Sequence, residues 1–305
     1  MNIIPFVHGI SWGNLSRLAD VLNRTEIDTL FRTDQASFGR ELGRQFPELA
    51  EIGAHILHEL NGPAGLCVID DLQRLDIQPE ALPAAFVALC HQVGVPTSHN
   101  DDHQVVWHVR DRADSLSREV TFSERAGEAP FHTDSAFAIQ PEAYFGLYTV
   151  TPAECGGGVS RIIPATRLLA AMNATEEGRY FRQILERELF PFKVPAAFSE
   201  TGRVVFGKVL NNGKLRYRYD AIRRGIEAVP ARVTAAMTDA LTWFDAFVET
   251  AVPPIEIRLG AGQAIFVNNQ RVLHARSNYT DTRRHLLRVR MHAHGQAMPV
   301  GLLRN

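Results

Sequence analysis

Cysteine is scarce in this chain. Cys67, Cys90 and Cys155 are the only three in 305 residues, and none is close to another, so neither a disulfide framework nor a thiolate metal cluster can be built. An excess of either charge is missing too. Lys plus Arg number 32 against 34 for Asp plus Glu, which argues against a nucleic-acid or anionic-membrane surface as the main partner. No run reaches the roughly 18 apolar residues of a membrane span, and the first residues lack the basic and apolar regions of a signal peptide. Internal repeats and low-complexity linkers are absent as well. What remains is a near-neutral chain with 45% hydrophobic residues, enough for a large core. The expectation is a cytoplasmic protein that handles a small molecule, with no nucleic acid and no membrane partner.

Periodicity supplies the elements. From Thr33 to Leu60, apolar Phe38, Leu42, Phe46, Leu49, Ile52, Ile56 and Leu60 recur at spacings of three and four, which predicts one helix stopped by Asn61-Gly62-Pro63. A buried strand at residues 65–69 and a second helix after Pro79, ending near Val93, follow. The β-formers of residues 104–109 predict a strand, and the charged stretch 110–129 a loop. Strands are expected at 143–150 and 159–163, a helix at 165–189, and strand-and-turn structure from Pro191 to Arg224, with Val204–Phe206 and Leu215–Tyr219 flanking the hairpin signal Asn211-Asn212-Gly213. A helix over residues 230–250 precedes a last set of strands from Ile255 to about His292. Many short strands with helices confined to insertions predict a mainly β fold, a jelly roll, rather than an alternating α/β sheet. The whole chain reads as one domain: a helical flank over 1–64 and a core over 65–292, with helical insertions near 165–189 and 230–250.

The chemistry is concentrated in Phe131-His132-Thr133-Asp134. A histidine and a carboxylate two residues apart in a strand-like segment share a face. They form two thirds of the triad that holds non-heme Fe(II) with positions left open. His274 is the candidate for the third ligand. It stands in Asn268-Asn269-Gln270-Arg271-Val272-Leu273-His274, followed by a polar turn around Tyr279. If that turn closes a hairpin, His274 and Arg284 lie opposite one another. Arg284, Arg288 and Arg290 then keep even spacing on the returning strand. A buried guanidinium requires an anion, and arginine grips a carboxylate bidentately. Taken singly, the arginines could pair with acids on a neighbouring strand and His274 could be a core histidine. A metal together with a carboxylate-bearing cosubstrate accounts for all of them at once.

These residues resemble the Fe(II)/2-oxoglutarate dioxygenases of the taurine dioxygenase and clavaminate synthase-like superfamily. The match rests on His132-x-Asp134, Gly157-Gly158-Val159-Ser160, His274 and the pair Arg284 and Arg288, in order over about residues 65–292. The resemblance implies a double-stranded β-helix core, cupin-like and flanked by helices. It implies Fe(II) on His132, Asp134 and His274, with 2-oxoglutarate and O2 as cosubstrates and succinate and CO2 as coproducts. By the same match Arg284 and Ser160 bind the distal carboxylate of 2-oxoglutarate, while Arg288 contacts substrate or cosubstrate. Relatives commonly have threonine where Ser160 stands, so a hydroxyl is kept. The spacing from His274 leaves open which of Arg284 and Arg288 is the main clamp. Halogenating relatives replace the carboxylate with a small residue, so Asp134 favours hydroxylation.

Arg288, Asn100, Gln104 and Asp220 are candidate substrate contacts, since they fall where relatives place substrate-binding elements. An acid such as Asp220 opposite Arg288 would suit a zwitterion, so the expected reaction is hydroxylation of an unactivated C–H of a small amino acid or a derivative, free or carrier-tethered. Desaturation, cyclisation and oxidative decarboxylation use the same cofactor chemistry. Two readings of another class are a zinc or manganese cupin hydrolase or isomerase, and a noncatalytic jelly-roll binding protein.

Overall fold

The computed structural model describes residues 6–7, 18, 20–21, 35–70, 78, 82–98, 104–111, 122–196 and 202–296. In chain order its strands are β1 (Phe6–Val7), β2 (Leu66–Ile69), β3 (Val95–Pro96), β4 (Trp107–Val109), β5 (Ala129–His132), β6 (Tyr144–Thr151), β7 (Ser160–Pro164), β8 (Phe190–Lys193), β9 (Val204–Gly207), β10 (Leu210–Asn211), β11 (Lys214–Leu215), β12 (Ile255–Ile257), β13 (Ala264–Asn268), β14 (Val272–Arg276) and β15 (His285–His292). Helices α1 (Gln35–Gln45) and α2 (Pro47–Asn61) lie between β1 and β2, α3 (Leu82–Val93) lies between β2 and β3, and α4 (Ala165–Asn173), α5 (Glu176–Arg187), α6 (Tyr219–Ala228) and α7 (Ala235–Thr250) are inserted later.

Two sheets carry the architecture. The larger has the order β1-β2-β13-β6-β15-β3, with β4 also on β15, and the smaller has the order β12-β7-β14-β5. All these pairings are antiparallel except β1 with β2. The period of two along each strand divides its side chains between two cores. On β6 and β13, Tyr144, Tyr148, Ala264 and Phe266 face α1–α3. Phe145, Ile265 and Val267 alternate with them and meet Ile162 and Val272 of the smaller sheet. On the far side of the smaller sheet, Phe131, Ile163, Leu273 and Ala275 pack against α4–α7. The result is helices, sheet, sheet, helices, the mainly β jelly-roll arrangement that the sequence predicts.

Several boundaries differ from the sequence reading, each for a local reason. The helix expected over 33–60 is two. Phe46 has φ −130° and ψ 79°, and Pro47 opens α2, because a residue before proline is driven out of the helical region. The helix expected over 165–189 is also two, since Thr175 caps α5 through its side chain, which accepts from the Gly178 N–H. Only residues 107–109 of the expected 104–109 strand are in the sheet. The Asn-Gly turn does form, with Asn212 and Gly213 both at positive φ, but it joins β10 to β11, whereas β9 pairs with β8. Residues 219–228 are helical and bury Ala221, Ile222 and Gly225. At 230–250, a short 3-10 turn precedes α7, which starts at the Thr234 cap. Among the described residues, no helix is long and apolar enough to cross a membrane.

The largest correction concerns the last hairpin. β14 lies in the smaller sheet and β15 in the larger, so His274 and Arg284 are not cross-strand neighbours. The segment between them crosses from one sheet to the other. Arg284 precedes β15, yet it lines one cavity with Leu286 and Arg288, so the common face expected for Arg284 and Arg288 survives this change.

His91, in the last turn of α3, is buried, and burial, with the nearby His294, pushes its pKa down from 6.5 to about 3. The unfolded chain therefore takes up a proton that the fold refuses. The stabilisation is complete above about pH 6.5 and is lost as pH falls. At roughly 1.4 kcal/mol per pH unit, this group alone removes about 2 kcal/mol between pH 7 and pH 5. Urea unfolding should show this loss, and His91→Leu should show a smaller one over the same interval, whatever its stability at pH 7.

Candidate metal and carboxylate site

His274 on β14 stands directly opposite His132 on β5, and the two imidazole centroids are 4.3 Å apart. Both point into the space between the sheets, since Leu273, Ala275 and Phe131 beside them turn outward into the helix-backed core. Asp134 reaches the pair differently from the sequence expectation. β5 ends at His132 and Asp134 begins a turn, so a shared strand face does not hold the carboxylate in place. It nonetheless converges: His132 Nε2 is 3.7 Å and His274 Nε2 3.9 Å from Asp134 Oδ1. One ligand atom from each of the three lies within 4.8 Å of the others, and among the described residues this is the one such cluster of His, Cys, Asp and Glu. Two imidazole nitrogens and a carboxylate oxygen on one side of a cavity fit a divalent ion of the iron type with open positions.

The electrostatics suit a cation. His132 Nδ1 is 2.8 Å from the Pro130 carbonyl oxygen, which makes Nδ1 the N–H donor and leaves the Nε2 lone pair toward the cluster. Burial, together with His132, pushes His274 down to about 4, so its imidazole is neutral at pH 7 and able to ligate. For Asp134, burial acts to raise the carboxyl pKa, but Arg288 and the two histidines hold it well below the usual carboxylate range. Arg288 Nη1 is 3.4 Å from both Asp134 oxygens.

The cavity in front of these ligands has a volume of about 90 Å³, and Ser160, Arg276, Arg284 and Arg288 line it together with the triad. Among the described residues that line it, Asp134 is the only acid, against three guanidiniums. Arg276, which sequence reasoning missed, is committed to structure: its guanidinium donates to the carbonyls of Gly127 and Arg125. Arg284 is different. It is 5% exposed, and its Nη1 has no hydrogen-bond partner among the described residues. Both guanidiniums stack on the buried Tyr279 ring, at 4.8 Å for Arg276 and 4.9 Å for Arg284. Gly157 and Gly158 make this approach possible. A Cβ on Gly157 would lie 2.1 Å from the Asn278 carbonyl oxygen; one on Gly158, which has φ +70°, would lie 2.8 Å from Arg284 Nε.

Of the substrate candidates, Arg288 lines the cavity while Gln104 and Asp220 do not. Asp220 is taken up by Arg218, at 2.9 Å, beside the bridge that joins Arg218 to His132. Gln104 is exposed, and Asn100 lies outside the described residues. Arg276 was accessible to the even-spacing argument used for Arg284 and Arg288, since it stands two residues after His274 on β14.

The model of the family described as taurine catabolism dioxygenase TauD, TfdA family matches residues 29–290. No curated protein sequence is significantly similar to the chain. Among solved structures, an asparagine oxygenase in complex with Fe(II), 2S,3S-3-hydroxyasparagine and succinate superposes with a TM-score of 0.70 at 17% identity, over 96% of this chain and 94% of the other. The non-heme iron oxygenase OrfP, in complex with Fe and alpha-ketoglutaric acid, superposes at 0.64 with 14% identity, over 95% and 93%. Its complex with Fe, succinate and (3S)-hydroxy-L-Arg gives 0.63 at 14% identity, over 95% and 94%.

A cavity with one carboxylate and three guanidiniums should bind a small dianion before any metal is added. Calorimetric titration of metal-free protein with glutarate should give saturable binding that weakens with added salt. Arg284→Leu should weaken it at least about tenfold, the loss of a charge-assisted bidentate contact.

Proposed function

The chain belongs to the taurine catabolism dioxygenase TauD, TfdA family, and from that membership we propose that it hydroxylates an unactivated C–H bond of a small amino acid or amino-acid-derived metabolite. It is an Fe(II)- and 2-oxoglutarate-dependent dioxygenase. When bound, Fe(II) with 2-oxoglutarate and O2 supplies the oxidant that removes the substrate hydrogen, with succinate and CO2 as coproducts. The chain's own residues do the rest. His132, Asp134 and His274 hold the metal. Arg284, with its unpartnered Nη1, takes the distal carboxylate of 2-oxoglutarate, and the Ser160 hydroxyl assists it. This assignment makes Arg284 rather than Arg288 the main clamp, because Arg288 is already engaged with Asp134.

The observation that carries the reading is the pairing of a three-residue cluster with a buried guanidinium in the same cavity whose Nη1 has no partner among the described residues. A zinc hydrolase would use the first and leave the second without a purpose. Arg288 meets Asp134 through Nη1 alone, and its Nε, which has no partner among the described residues, is left for the carboxylate of the substrate; the hydroxylated amino acids bound in the asparagine oxygenase and OrfP structures support that substrate class. Asp134 keeps the carboxylate ligand, which favours hydroxylation over halogenation. Whether the substrate is free or tethered to a carrier protein is decided by assaying free amino acids against their carrier-bound forms.

Anaerobic visible absorption tests the assignment. Fe(II) followed by 2-oxoglutarate should produce a metal-to-ligand charge-transfer band in wild type. The band should vanish in His132→Ala and require roughly tenfold or more 2-oxoglutarate in Arg284→Ala; its absence from well-folded, iron-loaded wild type would reverse the reading. Substrates should then be sought by succinate release over a panel of L-amino acids. Asp220 enters through its side chain: for it to contact a substrate amine, the pair with Arg218 must open. Asp220→Ala should then weaken the apparent affinity for amine-bearing substrates several-fold, while the dependence of turnover on the oxo-acid cosubstrate stays at its wild-type value.

A further inference from the structure

Asp134 is the one proposed metal ligand that no β-ladder holds, and the turn that carries it is unusual. The next residue, Ser135, has φ +52°, a left-handed conformation that non-glycine residues seldom adopt. Something outside the turn must fix the carboxylate, and Asn269 is placed to do so. Its side chain is 1% exposed. Its Oδ1 accepts from the Asp134 N–H at 2.7 Å, and its Nδ2 donates to the Asp134 carbonyl at 3.0 Å and to the Glu142 carbonyl at 2.9 Å. One amide thus grips the backbone of Asp134 on both sides. Both of its N–H donors are used, so its orientation is determined.

Asn269 is itself fixed. Its backbone N–H donates to the Ala143 carbonyl at 2.9 Å, and it sits at the end of β13, five residues before His274 on β14. The turn that links β13 to β14 therefore carries both the anchor of Asp134 and the approach to His274. On the other side of Asp134, Ser135 Oγ accepts a hydrogen bond from Arg290 Nη1, which completes the restraint.

We propose that Asn269 is a positioning residue for the metal site: it sets the Asp134 carboxylate against His132 and His274 by clamping the Asp134 backbone, without touching the ion itself. The inference rests on the metal site assigned above. Loss of groups that orient metal ligands typically weakens metal binding by about 10- to 100-fold, and that is the effect expected here. Asn268 provides the control. It is the last residue of β13, next to Asn269, and is buried; its Nδ2 donates to the Leu60 carbonyl at 3.2 Å and its Oδ1 accepts from the Gln270 N–H at 3.2 Å, and neither is bonded to the Asp134 turn.

The experiment is anaerobic equilibrium titration of the full chain with Fe(II), and separately with Co(II), whose visible ligand-field spectrum reports the geometry of the bound ion. Asn269→Ala should raise both dissociation constants by about 10- to 100-fold and change the Co(II) spectrum. Asn268→Ala should lower the thermal midpoint while leaving metal affinity and spectrum at wild-type values. If Asn269→Ala does not fold, Asn269→Ser is read instead; its hydroxyl keeps the site polar but is one bond too short to bridge the Asp134 N–H and carbonyl, and it should show the same changes. Wild-type affinity and spectrum in the folded Asn269 variant would overturn the proposal, as would equal weakening in Asn268→Ala. A wild type that binds neither ion would instead refute the metal site.

Discussion

A single carboxylate buried among cations is the interaction around which this structure is arranged. Asp134 keeps its charge because Arg288 and two imidazoles surround it, and those groups can face it only because two sheets present their inner faces across one space. Removing an ion from water costs several kcal/mol unless partners compensate. Here the compensation is not confined to one contact. Arg288 comes from the larger sheet, His132 and His274 from the smaller, and the backbone of Asp134 is held from the turn after β13. A charge that drew on one partner alone would leave the others with unsatisfied needs of their own, and Arg284 Nη1 shows what such a need looks like.

The same alternation along the strands serves packing and chemistry together. On β14, Leu273 and Ala275 seal the helix-backed core, while Val272, His274 and Arg276 turn inward. On β15, Leu287, Val289 and Met291 pack against α1–α3, while Leu286 and Arg288 line the cavity. A one-residue slip of either strand would exchange these rows, placing guanidiniums in an apolar layer and leucines in the cavity. The apolar rows thereby keep the polar rows in register.

Much of the site was legible because it obeys short-range rules. His132, Asp134 and His274, singled out by residue type and spacing, are brought together by the fold, and Arg284 and Arg288, singled out by their even separation, line the same cavity. The geometry invoked for them was partly wrong: Asp134 leaves the strand, and β14 and β15 do not form a hairpin. Residue spacing constrains a face, but which strands become neighbours depends on pairings across more than a hundred residues, such as β14 with β5 and β7. Helix α6 was missed because Tyr217, Tyr219 and the arginines around them carry β-like composition, whereas its burial of Ala221, Ile222 and Gly225 is decided by packing on β8. The breaks at Pro47 and Thr175 were available in the sequence, as a proline after a helical run and a capping threonine before two glutamates. Asn269 had no comparable signal, since its partners lie 127 and 135 residues away in sequence.

The crossing of residues 277–284 from one sheet to the other makes the inter-sheet layer a ruler. The proposed metal ligands belong to the smaller sheet side and the proposed arginine clamp to the larger, so in that reading the distance between them follows the thickness of the layer that separates facing sheets, about 10 Å in general. Phe145, Ile162, Ile265 and Val267 fill that layer. A diacid that spans from metal to clamp is therefore measured by these apolar residues, none of which carries a polar group. Chain length of the oxo acid would be selected by core volume, and a thinner or thicker layer would shift the preference toward a shorter or longer diacid without any change in the residues that bind it.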